Sequence, residues 1–138
     1  MKIVVDVNVI LSSLLKEGRP FEVFSINSLL NKFDFVAPEF LLTELEKHKE
    51  RIFKISRLSR GIFNDTLRFI IEQITFVPKS DFLECIDEAK RILADHLKDA
   101  PYLALALKLD CPIFSGDKSF KALCPEKVLS PTEMFDKF

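Results

Sequence analysis

The chain has 138 residues, 48% apolar and 30% charged, which describes one globular domain over residues 1–138 with a substantial core and excludes a disordered chain. Its 20 basic and 21 acidic side chains leave a net charge of −1, so nucleic-acid binding has to come from a local patch rather than a global positive field. Cys85, Cys111 and Cys124 are odd in number and scattered; they match neither a disulfide framework nor a zinc spacing and fit a reducing cytoplasm.

Lys2 to Asp6 is short, apolar and β-branched and predicts a buried strand, followed by a helix over Val7 to Leu15. Pro20 to Leu30 reads as a helix with proline in its first turn. Phe33 to Ala37 predicts a second strand, and Pro38 opens a long helix, PEFLLTELEKHKERIFK. Ser56 to Gln73 is again helical, with Gly61 as the place for a nick. Ile74 to Val77 is a third strand ended by Pro78, Asp81 to Leu97 a helix, and Asp99 to Leu109 another after a break near Lys98. Pro112 to Ser115 and Lys127 to Leu129 are the fourth and fifth strands, and a terminal helix begins at Pro131. Short apolar strands alternating with helices predict an α/β fold, a three-layer α/β/α sandwich around a mostly parallel sheet of four to five strands. No apolar run reaches the length of a membrane span, and MKIVVDV lacks the features of a signal peptide. With three glycines, the phosphate-loop motifs are absent.

In parallel sheets ligands bind at the carboxyl ends of the strands, and Asp6 ends the first strand. It stands between two apolar segments, where a charge costs several kcal/mol to bury without a partner. Asp117 follows the fourth strand in PIFSGDKSF as Asp6 follows the first; taken alone it reads as the cap of a short helix through Leu123. Asp99, just ahead of Pro101 and an apolar helix, also reads alone as an N-cap, a role compatible with ligation. Glu44 differs. At about 100° per residue, Phe40, Leu41, Leu45, His48, Ile52 and Ile55 form one apolar arc, and Glu44 falls inside it. Glutamate is almost never buried unpaired; the alternatives are a site role or an ion pair with a nearby arginine. His48 and His96 are isolated and read as core-edge or surface residues. Four carboxylates that each need a partner share one answer in a divalent cation. Mg²⁺ and Mn²⁺ prefer oxygen ligands and serve to polarise phosphodiesters.

Taken in order, VVDVNVILSSLL, PEFLLTELEKHKE, KDAPYLALAL and PIFSGDKSF resemble the motifs of PIN-domain nucleases over nearly the whole chain. The resemblance implies an endoribonuclease in which four acids bind one or two Mg²⁺ or Mn²⁺ ions and hydrolyse single-stranded RNA. By matching position these are Asp6, Glu44, Asp99 and Asp117, with Asn8 and Ser115 orienting ligands or water. For many small members it also implies a toxin held by an antitoxin protein. The place two residues after Asp117, acidic in many members, is Ser119, which weakens a second metal site; Gly116 stands where related sequences often have Asn. Asp95 is an extra acid one turn before Asp99, read as a solvated helix face.

Residues 47–60, KHKERIFKISRLSR, are locally basic. Lys47, Lys49 and Arg51, together with Lys118 after Asp117, are the candidate phosphate contacts. The 14 phenylalanines fit core positions, and no stacking platform for bases is evident. Apolar positions around Ile62, Phe63 and Phe69 are candidates for a homodimer face. Two other readings compete. A haloacid-dehalogenase-type phosphatase also ends a strand in an aspartate but needs a second one where this chain has Asn8. A non-catalytic RNA-binding or protein-interaction module on the same fold has no reason to keep a buried glutamate.

Overall fold

The computed structural model describes Met1–Phe138. Strand β1, Lys2–Val5, places Ile3, Val4 and Val5 out of solvent altogether, the pattern of a strand covered on both faces. Asp6 leaves the strand in an extended conformation and becomes the N-cap of α1, Val7–Leu15. Helix α2, Arg19–Leu30, starts from Gly18 with proline in its first turn and ends on Asn31 in the left-handed region, φ 50°. The turn that follows is locked by buried Asn27, whose Nδ2 donates to the Phe33 carbonyl (3.1 Å) while its Oδ1 accepts from the Phe33 amide (2.8 Å).

Strand β2 runs Asp34–Pro38 and helix α3 Phe40–Ser56. Pro38 therefore closes the strand, pairing with Val77, instead of opening the helix. Helix α4, Arg60–Ile71, is not nicked at Gly61. The break lies earlier, at Arg57 (φ 61°), and Ser59 restarts the helix by accepting from the Ile62 amide at 3.2 Å. After β3, Ile74–Val77, the expected helix from Asp81 is interrupted. Two single 3₁₀ turns, Lys79–Asp81 and Leu83–Cys85, precede α5, Ile86–Leu93. Phe82 is 1% exposed and sits between them in a non-helical conformation (φ −131°, ψ 17°), so burying its ring decides the backbone there. A 3₁₀ turn, Leu97–Asp99, leads into α6, Ala100–Leu109. Strand β4 (Ile113–Phe114), α7 (Lys118–Leu123), β5 (Val128–Leu129) and α8 (Pro131–Asp136) complete the chain, α8 with a reciprocal Ser130–Glu133 capping box.

The five strands form one sheet in the order β3-β2-β1-β4-β5, every pair parallel, with Val4 opposite both Val36 and Ile113. Helices α2, α3 and α4 pack on α1, and α8 on α2; α6 lies along β1, β2 and β4 with α5 against it. The result is the expected α/β sandwich. Phe24, Phe35 and Phe114 meet in its core with centroids 5.2 to 6.3 Å apart. The chain winds outward from β1 to β3 and then returns to the other side of β1 to lay down β4. The crevice at the carboxyl ends of β1 and β4 is thus the switch point where such sheets bind ligands.

Candidate metal centre

That crevice is a cavity of about 230 Å³ lined by Asp6, Glu44, Asp99 and Asp117, with Asn8, His48, Arg51 and Lys98 among its other walls. The four acids arrive from the end of β1, the first half of α3, the start of α6 and the loop after β4. Asp6 is 3% exposed. Its Oδ2 accepts from the Ser115 hydroxyl (2.8 Å) and Asn8 Nδ2 (3.0 Å), whereas its Oδ1 has only a long 3.4 Å bond from the Asn8 amide. Burial pushes its carboxyl up to about 7; the Ser115 and Asn8 donors oppose this, and the Asp99 and Glu44 charges add to it.

Asn8 and Ser115 knit the two strand ends together. Asn8 Nδ2 also reaches Ser115 Oγ (3.1 Å) and its Oδ1 accepts from the Gly116 amide (3.0 Å). Ser115, 1% exposed, accepts from the Asp117 amide at 3.1 Å. A Cβ on Gly116 would stand 3.7 Å from Asn8 Oδ1 and 3.9 Å from Pro131 Cγ, both ordinary contacts, so a Cβ there meets no clash.

Asp117 does cap α7: its Oδ1 accepts from the Ser119 (2.8 Å) and Phe120 (3.2 Å) amides. Asp99 behaves differently from the expected cap. It occupies the N-cap position of α6 yet makes no capping bond, and its Oδ2 is buried with no hydrogen-bond partner. Burial raises its carboxyl to about 6, the Asp117 and Glu44 charges adding while Lys98 and His96 oppose. Glu44 is half-buried, and its Oε1 accepts from the Tyr102 hydroxyl at 2.5 Å. No arginine pairs with it.

The four acids share one pattern. Asp6 Oδ1, Glu44 Oε2 and Asp117 Oδ2 each remain short of protein donors while the sister oxygen is held, and Asp99 has none at all. Mutually repelling carboxylates with spare oxygens fit a hard cation. No three His, Cys, Asp or Glu side chains stand close enough to hold an ion directly. The donor set therefore fits an ion that keeps most of its waters and touches one or two carboxylates, as Mg²⁺ prefers.

Tyr102 was not among the expected site residues. It is 1% exposed, packs edge-on against Phe40 (6.3 Å), and burial with the Glu44 bond raises its phenol above the normal range. A signal existed: it is the single tyrosine of the chain, in the otherwise apolar helix APYLALALKL, where a buried hydroxyl needs a partner. Among the basic candidates only Arg51 lines the cavity, bonded to His48 (3.3 Å); Lys98 joins it from the 3₁₀ turn ahead of α6. Lys47, Lys49 and Lys118 lie outside, and Lys49 pairs with Glu46 at 3.0 Å. Arg60 is bound by Glu50 through two 3.0 Å bonds. Asp95 is exposed and not part of the cavity. Of the apolar arc, Ile55 is 56% exposed, being at the last turn of α3. Phe63 of the proposed dimer face is fully buried against Phe53 (5.2 Å), leaving Ile62 exposed.

No helix is long and apolar enough to cross a membrane, and all three cysteines are free. No curated protein matches the chain. A family model described as PIN domain matches residues 4–125, and the chain therefore belongs to the PIN-domain family, a nuclease-type fold.

Proposed function

We propose that the chain is a metal-dependent endoribonuclease acting on single-stranded RNA, with Asp6, Glu44, Asp99 and Asp117 as its metal-binding acids. The observation that carries this reading is the convergence of four carboxylates from four distant segments on one cavity, each with an oxygen short of protein donors. Mg²⁺ or Mn²⁺, when bound, supplies the positive charge that polarises the phosphodiester and eases deprotonation of the attacking water. The residues do the rest. Ser115 and Asn8 fix Asp6 by its Oδ2, Tyr102 fixes Glu44 by its Oε1, and the α7 amides fix Asp117 by its Oδ1. Held this way, Asp6, Glu44 and Asp117 each keep the second oxygen available to a hydrated cation. Arg51 and Lys98, on the cavity wall, offset the repulsion between an acidic site and a polyanion. Asn8 cannot serve as a general acid or base, since a carboxamide does not titrate near neutral pH, and it instead ties Asp6, Ser115 and Gly116 together, which disfavours the phosphatase alternative.

Incubation of the purified chain with single-stranded RNA tests the proposal. Cleavage is expected with Mg²⁺ or Mn²⁺, absent with EDTA, and lost in Asp6→Asn. Undiminished cleavage by Asp6→Asn refutes it. RNA binding without cation binding by calorimetry points instead to a non-catalytic module. We further infer, from the resemblance to small toxin members, a cytoplasmic toxin restrained by an antitoxin. Induced expression of the wild type but not of Asp6→Asn should then arrest growth of the host.

A further inference from the structure

A second cavity, of about 310 Å³, adjoins the acidic one. The two share the first turn of α6, because Asp99 lines one and the next residues, Ala100 and Pro101, line the other. They also share the start of α3: Phe40 lines the second cavity and packs on Tyr102, whose hydroxyl holds Glu44. Buried Phe82 and Ile86 give the second cavity an apolar floor, with half-buried Phe40 and 52%-exposed Leu97 beside it. Three exposed charged residues, Lys79, Lys90 and Glu39, complete the lining. Neither of these lysines makes an ion pair, whereas Lys108, Lys121 and Lys127 are held by Glu84, Glu133 and Asp110.

We propose that this cavity receives one nucleotide of the RNA strand next to the cleaved phosphodiester, an inference that rests on the nuclease reading above. The base lies on the apolar lining, its phosphate is met by Lys79 and Lys90, and the Glu39 carboxylate accepts from an N–H on the base edge. Three observations select this occupant. The cavity shares the first turn of α6 with the acidic one, so a strand leaving the place where a phosphodiester would be cut meets it next. Two cations without acidic partners beside an apolar slot match a flat ring carrying a phosphate. The Glu39 side chain, as a hydrogen-bond acceptor, adds a preference for bases with donating edges. The two lysines also add to Arg51, the one cation of the basic stretch of α3 that lines the acidic cavity, since Lys47 and Lys49 do not line it.

Steady-state cleavage kinetics of a Lys79→Ala/Lys90→Ala double variant test the assignment. Both side chains are exposed and unpaired, so the variant should melt with the wild type. KM for a short single-stranded RNA is expected to rise about tenfold with kcat unchanged, and the slope of log KM against log salt to fall by about 1.4, the share of two phosphate-contacting cations on a single strand. An abasic residue adjacent to the cut should likewise raise KM in the wild type, and Glu39→Gln should change which base is preferred there. Unaltered KM and salt slope in the double variant, with the wild type cleaving normally, overturn the inference and leave the nuclease reading standing. The same holds if the double variant loses binding of a protein partner while its RNA kinetics stay unaltered. A wild type that does not cleave RNA with Mg²⁺ or Mn²⁺ brings down both.

Discussion

Replacing Tyr102 with phenylalanine removes one hydroxyl from a ring that is otherwise retained in the core against Phe40. The lost bond, 2.5 Å to Glu44 Oε1, is to a carboxylate, and such bonds are worth about 1.5–3 kcal/mol. Two effects reduce the cost to folding. Glu44 is half-buried, so water can replace the donor, and the phenol no longer has to be kept from solvent. A net loss of about 1 kcal/mol follows, which for a domain of this size lowers Tm by about 3–5 °C. The effect on the site should be larger, because Glu44 loses the contact that orients it. Removal of such supporting groups costs about 10–100-fold in metal affinity. Titration of cleavage against Mg²⁺ should therefore show a half-maximal concentration raised by at least about tenfold, with much of the rate recovered at saturation. Tyr102 is the chain's single tyrosine and there is no tryptophan, so the wild-type near-ultraviolet spectrum reports directly on this hydroxyl and should change as Mg²⁺ binds. Refutation would be a Tyr102→Phe enzyme with the wild-type Mg²⁺ dependence, together with a tyrosine spectrum indifferent to Mg²⁺.

Two further outcomes follow from the acids themselves. Asp6 has its carboxyl raised from 3.8 to about 7 by burial, so the folded state binds the extra proton between those values and stability falls as pH rises through them. Between pH 5 and 8 the loss from Asp6 alone is about 3 kcal/mol, with Asp99 adding in the same direction; thermal melts in EDTA should fall across that range, and saturating Mg²⁺ should flatten the curve. A melting temperature independent of pH in EDTA would contradict the burial argument. Asp117 both caps α7 and faces the cavity, so Asp117→Asn and Asp117→Ala should both abolish cleavage, but only the alanine variant should lose about 1 kcal/mol of stability in a melt. Equal melting temperatures for the two variants would show that the cap contributes nothing.

The elements legible in the sequence were those whose own residues decide them. Val7–Leu15 matched its predicted bounds because a capping aspartate starts it and Lys16-Glu17-Gly18 ends its apolar pattern. Glu44 was legible as a charge inside an apolar arc, and it lines the acidic cavity with its Oε1 held by Tyr102. Contacts distant in sequence decided the remainder. Asp81 to Leu97 is helical by local preference, and only the burial of Phe82 breaks it. Pro38 is a good helix starter by itself, but its pairing opposite Val77 keeps it in the sheet. Asp99 has the local signature of a cap, yet the amides it would cap go unserved by it, and what surrounds it is contributed by Asp117 and Glu44. The role of Tyr102 required knowing that α6 passes beside α3, which no local pattern states. The second cavity likewise combines residues from α3, the segment after β3, α5 and α6.

The strand order carries a consequence for how the protein comes into being. β1 is made first and lies at the centre of the sheet, but its neighbour β4 and the Ser115 hydroxyl that steadies Asp6 are synthesised 109 residues later. At about 5–20 residues per second a nascent chain spends several seconds with β1, β2 and β3 available to pair and no acid from beyond Asp99 to join them. The set of four acids lining the cavity is completed only when residue 117 has left the ribosome. Fragments that stop just before β4 carry Asp6, Glu44 and Asp99 but lack both Ser115 and Asp117, so interrupted translation leaves the acidic cavity incomplete and Asp6 without its hydroxyl donor.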